Sequence, residues 1–326
     1  MNASLPVGFY MHPASPLHDT GWGHPEHQGR LRALASAVGK DMVALHGRVE
    51  QREAPEGAVE DVLLVHPAGY VNIIHEMCDA ADAQQKIFSI DNDTRVSPAT
   101  WEAALGSVGG AVAAARAVAD GMLSSAFVAT RPPGHHATPS RAMGFCLFNN
   151  VAVAARFLQA SGRAERVLVI DWDVHHGNGT QDVFYEDPTV FYLSLHQSPH
   201  FPGTGDERDT GAGHGRGTTL NVQVAAGTPR ETYRARFTEA LGRSVEDCRP
   251  DFILISSGYD ALSGDPLGDQ LLEPRDFHEM TREVLALADQ ACGGRVVAVL
   301  EGGYDPERLG LATVQTVRAL AGIEPI

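Results

Sequence analysis

Cysteine is scarce: the 326 residues hold only Cys78, Cys146, Cys248 and Cys292, and no two of them form a CxxC pair. Such spacing excludes a disulfide frame and a thiolate zinc site, and it fits reduced thiols in a cytoplasmic setting. Basic residues are also short, with 25 Lys and Arg against 41 Asp and Glu and a formal charge of −16. A surface this acidic repels phosphate backbones, which argues against nucleic acid as a partner. It attracts cationic partners such as basic peptides and polyamines, or serves only to keep the chain soluble. No apolar run approaches the ~18 residues of a membrane span, so no membrane partner is expected. The opening MNASLPVGFYMH lacks the cationic and apolar regions of a signal peptide. There is no low-complexity tract, internal repeat or Pro/Ser-rich linker. Residues 1–326 therefore read as one domain, with the oligomeric state left open.

What is present is a core. Hydrophobic residues make up 43% of the chain. Short runs rich in Val, Ile and Leu stop abruptly at polar or glycine-rich segments. These are Ala126–Thr130 before RPPGHHA, Val167–Ile170 before DWDVHHGNGT, Val190–Leu195 before HQSPHFPGTGD, Phe252–Ile255 before SSGYDALSGDP and Val296–Leu300 before EGGYDP. Such runs read as strands buried on both faces. Helical patterning lies between them, at Trp101–Asp120 after a capping segment SPAT, and at Val151–Ala160, Thr232–Asp247 and Pro274–Ala291. Strands alternating with helices predict an α/β fold with an open parallel sheet. In such sheets ligands bind beyond the carboxyl ends of the strands, where the unusual His, Asp and Tyr residues of this chain lie.

DWDVHHG is the sharpest segment. In extended chain, residues two apart share a side, so Asp171, Asp173 and His175 point together. A carboxylate and an imidazole at this spacing can grip a divalent cation. Asp260, just past the FILISSG strand end, is the natural third ligand, and three protein ligands leave a position open for water, as in catalytic zinc. A sulfur-free O/N set would also accept Fe²⁺. PPGHHA sets His135 and His136 after another strand. One could act as base on a metal-acidified water and the other as electrostatic support, each with its own tautomer-fixing partner. Tyr304 follows two glycines in LEGGYDP, where its hydroxyl could stabilise an oxyanion. The glycines of MGFCLFNN and FPGTGD follow no phosphate-loop pattern, which excludes nucleotide binding. His24 and His27 read as loop structure near the site. His12, His18, His46, His66, His75, His214 and His278 read as surface or core residues.

Taken in order, HPEHQGRL, RPPGHHA, GFCLFNN, IDWDVHHGNGTQD, SLHQ with FPGTGD, GYDALSGDPLG and LEGGYD resemble the histone deacetylase superfamily across most of the chain. The resemblance implies the single-domain arginase–deacetylase fold, an open parallel sheet flanked by helices on both faces. It implies a zinc-dependent amidohydrolase acting on N-acyl-lysine, with acylpolyamines or other small acylated amines as the alternative, and a non-catalytic metal-stabilised binding protein further off. Asp173, His175 and Asp260 match the zinc ligands. His136 matches the general base, His135 its electrostatic partner oriented by Asp171, and Tyr304 the residue that polarises the carbonyl. Gly144, Phe145 and Phe201 match the walls of an acyl-lysine tunnel, and Asp93 a rim aspartate. A potassium site falls on Asp171, Asp173, His175, Ser194 and Leu195, partly through backbone oxygens. A second falls near Phe184, Asp187 and Val190. Where class I members carry Asp in HHGDG, this chain has Asn178, similar to class II and bacterial deacetylase-like amidohydrolases; this removes a carboxylate partner from His136 and should make that base less basic. Leu267 stands where polyamine-selective relatives carry Glu, which favours acyl-lysine. Tyr304 stands where low-activity class IIa members carry His, so turnover is expected.

Overall fold

The computed structural model describes residues 5–326. Its strands are β1 (Val7–Met11), β2 (Val49–Glu53), β3 (Phe88–Ser89), β4 (Arg95–Val96), β5 (Ser125–Val128), β6 (Val167–Asp171), β7 (Val190–Gln197), β8 (Thr219–Val224), β9 (Phe252–Ser257) and β10 (Val296–Leu300). Eight of them form one open sheet in the order β2-β1-β5-β10-β9-β6-β7-β8, with every pairing parallel. β3 and β4 make a separate antiparallel pair.

The five apolar runs become β5, β6, β7, β9 and β10, the middle of the sheet and its flank. Alternate residues feed opposite core layers. Leu168, Ile170, Ile253 and Ile255 pack on one side, and Val167, Val169, Phe252 and Leu254 on the other. Both faces are therefore dry, which is why these strands read as continuous apolar runs rather than alternating ones. Full burial of each such side chain contributes about 1.5–3 kcal/mol.

Helices Gly29–Lys40, Arg230–Cys248, Pro274–Cys292 and Pro306–Leu320 cover the first face; Thr100–Ala119 and Asn150–Ala160 cover the second. The alanine- and glycine-rich helix Thr100–Ala119 lies so close to the segment before it that a Cβ on Gly109 would fall 2.0 Å from the Pro55 carbonyl oxygen. Its start departs from the sequence expectation. SPAT supplies no side-chain cap: Ala99 is the N-cap, and Thr100 Oγ1 turns back to accept the Ser97 N–H at 2.7 Å. Asn149 does cap the next helix, accepting from the Ala152 N–H. No helix among the described residues is long and apolar enough to cross a membrane.

Parallel strands put all their carboxyl ends on one edge of the sheet. The loops after β5, β6, β7, β9 and β10 meet there.

Candidate active site

Past Asp171 the chain leaves β6 by a staircase of side-chain-to-backbone bonds. Asp171 Oδ1 accepts the Asp173 N–H at 3.1 Å, and Asp173 Oδ1 accepts the His175 N–H at 2.9 Å. Such Asx bonds fix a polar loop without a strand partner. Trp172 and Val174 drop into the core beneath, leaving the carboxylates and imidazole above.

Asp173, His175 and Asp260 offer three donor atoms within 4.8 Å of one another, and all three residues are buried. His175 Nδ1 lies 3.0 Å from Asp173 Oδ1 and 3.1 Å from Asp260 Oδ2. Backbone groups hold the carboxylates from behind: the Gly302 N–H donates to Asp173 Oδ2 at 2.8 Å and the Val174 N–H to Asp260 Oδ1 at 2.8 Å. Gly302 must be glycine, since a Cβ there would lie 2.1 Å from Asp260 Oδ2 and 2.6 Å from Asp173 Oδ2. Among the described residues no Lys or Arg pairs with Asp171, Asp173 or Asp260; their ion-pair partners are His135 and His175. Burial works against a charged His175, but its bonds to Asp173 and Asp260 prevail and raise it to about 10. Two buried carboxylates and an imidazole converging in this way form a group that could hold a metal ion.

The RPPGHHA segment brings in the two histidines from β5. His135 Nδ1 lies 3.0 Å from Asp171 Oδ2, which also accepts the Tyr192 hydroxyl at 2.9 Å. Burial disfavours its charge, yet the carboxylates of Asp173 and Asp171 raise it to about 10. His136 goes the other way. Burial, then the neighbouring His135 and His175, hold it well below the ordinary imidazole value. Its Nδ1 meets Asn178 Oδ1 at 2.8 Å. Its ring touches the loop carrying Gly144 so closely that a Cβ on Gly144 would lie 2.4 Å from His136 Cδ2, and Gly144 has φ +54°.

A cavity of about 310 Å³ opens over these groups, and Gly144, Phe145, Phe201, Leu267 and Asp93 all line it together with His136, His175 and Tyr304. Phe201 stands edge-on to His136 with ring centroids 5.1 Å apart, and Phe145 edge-on to Tyr304 at 5.7 Å. Asp93 sits on the rim, tied to the HPEH segment by a bond between its carbonyl and His24 Nε2 at 2.8 Å. His24 in turn packs against Phe145. Ser194 lies beside Asp171 in the sheet register, with Leu195 next to it. Phe184, Asp187 and Val190 gather instead at the start of β7, where the Asp187 N–H donates to the Phe184 carbonyl and the Asp187 carboxylate pairs with Arg156. A larger cleft, lined by Arg48, Ser125 and Arg295, lies at the opposite ends of the strands and holds none of these residues.

Several supporting residues escape sequence reasoning. Arg30 is fully buried, donates to the carbonyls of Gly303 and Glu301 at 2.6 Å each, and lies 4.9 Å from the Tyr304 ring centroid. Glu26 holds both Arg30 and Arg131. Asp265 accepts the Tyr304 N–H at 2.6 Å. His200 stacks on His175 at 4.9 Å and contacts the Leu267 carbonyl. Glu301, also fully buried, is pushed up to about 7 by burial, against the charge of His135. The Glu26–Arg30 spacing of four was the one available signal.

The fold and this strand-end site define an α/β centre whose Asp173, His175 and Asp260 could hold a metal ion. Residues 24–320 match the histone deacetylase domain family, and the chain belongs to the histone deacetylase superfamily. It is 38% identical over 321 residues to a histone deacetylase-like amidohydrolase of Pseudomonas aeruginosa, covering 98% of this chain and 81% of that one. It is 37% identical over 319 residues to a probable deacetylase of Archaeoglobus fulgidus, covering 98% and 87%. The crystal structure of the HDA15 HD domain superposes with a TM-score of 0.89 at 32% identity, covering 99% of this chain and 91% of that chain. Membership supports a hydrolase of the deacetylase and amidohydrolase kind.

Proposed function

We propose that the chain is a zinc-dependent deacylase that hydrolyses N-acyl-lysine amides. The observation that carries this reading is the meeting of His136, Tyr304 and the Asp173–His175–Asp260 group at one cavity walled by Phe145 and Phe201. The donor set fits zinc, being two carboxylates and one imidazole buried together, and Fe²⁺ fits the same donors. When bound, the metal supplies Lewis acidity that acidifies water and polarises the scissile carbonyl.

The protein groups do the rest. His136 is neutral and its Nδ1 faces Asn178, so Nε2 takes the proton of the attacking water and returns it to the leaving amine. His135, held charged by Asp171, sets a positive charge beside the developing oxyanion. The Tyr304 hydroxyl donates to that oxyanion, a contribution of roughly 2.7–4 kcal/mol. Gly144, Phe145 and Phe201 suit the methylene stem of an acyl-lysine, and Leu267 adds apolar surface. Asp93, which lines the cavity, would accept a substrate backbone N–H. Asp171, Asp173, His175, Ser194 and Leu195 would hold a potassium ion, partly through carbonyls, and Phe184, Asp187 and Val190 a second one. Four free, buried cysteines support a cytoplasmic setting.

A second reading, an acylpolyamine amidohydrolase, is favoured by Asp269. It joins Asp93 among the residues lining the cavity, and no Lys or Arg is among them. The test is acetate release by zinc-loaded enzyme from acetyl-lysine peptides and from acetylspermidine, side by side. Faster peptide turnover supports the first reading, faster polyamine turnover the second, and metal-independent or absent release from both overturns the proposal.

A further inference from the structure

Glu301 is a fully buried carboxylate that the hydrolysis scheme leaves unused. It directly follows β10, and its side chain reaches across to the loop after the neighbouring strand β5. Oε2 accepts two consecutive backbone N–H groups there, Gly134 at 2.6 Å and His135 at 3.1 Å. Oε1 is held by the Ser256 hydroxyl at 3.2 Å, and the Glu301 N–H donates to the Ser257 carbonyl at 3.1 Å, so β9 fixes the carboxylate from behind. The next residue, Gly302, holds Asp173 through its N–H, and Tyr304 follows two positions later.

A carboxylate accepting two adjacent amides sets the path of the chain between them, because both N–H vectors must converge on one oxygen. No sheet pairing holds Gly134 and His135 in place, since β5 ends at Val128. We propose that Glu301 is the positioning residue of the histidine loop. Its side chain sets the height of His135 and His136 over the metal ligands, while its own backbone segment carries Gly302 and Tyr304. The inference rests on the deacylase reading for its kinetic consequence and on geometry alone for the clamp. Displacing a general base by about 1 Å costs about 10²-fold in rate, so the loss should fall on kcat rather than KM.

Three variants separate reach from charge. E301Q keeps an oxygen at the same reach and loses the charge. E301D keeps the charge and is one methylene too short for both amides. E301A loses both. Each is purified, loaded with zinc, and assayed for metal content, kcat, KM and amide hydrogen exchange across residues 131–137. The expected result is full metal content in all three, kcat down about 10²-fold in E301D and E301A at nearly constant KM, and E301Q within about tenfold of wild type. Exchange at Gly134 and His135 should accelerate in E301D and E301A only. Should E301A not fold, E301D against E301Q carries the same comparison. Loss in E301Q with retention in E301D, or unchanged exchange and kcat in E301D, overturns the proposal. If wild type shows no amide hydrolysis, the deacylase reading fails by itself and the exchange data alone decide for or against the clamp.

Discussion

Asn178 Oδ1 lies 2.8 Å from His136 Nδ1, so the buried imidazole is oriented by a neutral amide rather than by a carboxylate. His135, one residue earlier, has the carboxylate of Asp171 at 3.0 Å. The two adjacent rings go in opposite directions, the carboxylates of Asp173 and Asp171 carrying His135 toward the charged form and burial carrying His136 toward the neutral one. Burial is the first cause of the depression at His136, with the nearby His135 and His175 adding to it.

Asn178→Asp should therefore raise the basicity of His136. A carboxylate at that distance favours the imidazolium, so the free base appears only at higher pH. The acid limb of the kcat/KM profile should move to higher pH, with kcat on the alkaline plateau changed less than the limb. An unmoved limb would show that His136 is not the titrating base.

Tyr304→Phe removes the one hydroxyl proposed to face the oxyanion and leaves the ring packing with Phe145 and Arg30. The expected loss is about 10²–10³-fold in kcat with little change in KM or melting temperature. Steady-state kinetics with calorimetry on the same preparation would check it.

Metal uptake should release protons. In the metal-free protein His175 is raised to about 10, so at pH 7 it is charged and must lose its proton to become a ligand. Titrating zinc into chelator-treated protein in dilute dye-containing buffer should show proton release and a rise in melting temperature. Gly302→Ala should abolish both, because the added methyl collides with Asp173 and Asp260, while the fold away from the site persists.

Acid should unfold the protein well before its surface carboxylates are neutral. Burial, reinforced by Arg131, lowers His18 to about 3, and burial lowers His66 to about 4. Each is neutral when folded and titrates near 6.5 when unfolded, so their stabilisation is complete above pH 6.5 and is lost as pH falls toward 3–4. At Glu26 burial opposes the charge but Arg131 and Arg30 prevail, giving about 2; its share is present above 4.5 and is lost as pH falls through 2. Urea midpoints should decline below pH 6.5, and, because His135 and His175 are raised to about 10 in the folded chain, decline again as pH rises above neutrality. Arg131→Ala, which strips Glu26 of its main partner, should cost about 3–5 kcal/mol at pH 7.

The middle of the sheet was legible because burial on both faces leaves no polar interruption, as in Val167–Ile170 and Val296–Leu300. The edges were not. β2, reading VEQRE, is half exposed and polar, so nothing in its composition announces a strand. β1, reading VGFYM, and β8, reading TLNVQV, mix glycine or polar residues into the apolar run, so neither stands out. The helices Gly29–Lys40, Ala68–Gln84 and Pro306–Leu320 also went unread, the first opening on glycine and carrying no side-chain cap. At the site, spacing brought out Asp173 and His175, and strand ends brought out Asp260, His135 and Tyr304. Arg30, Glu301 and Asp265 stayed hidden because they act on backbone groups distant in the chain, a relation that has no local pattern.

The last strand in the described chain, β10, lies between β5 and β9, in the interior of the sheet. Glu301, Gly302 and Tyr304 come directly after it. During synthesis, β5 and β9 therefore exist first, with facing edges that have nothing between them. A partly made chain lacks Tyr304 and the Gly302 N–H that holds Asp173, so the proposed centre is complete only once the polypeptide has closed its own middle. Those two waiting edges are the place where a nascent chain would need shelter.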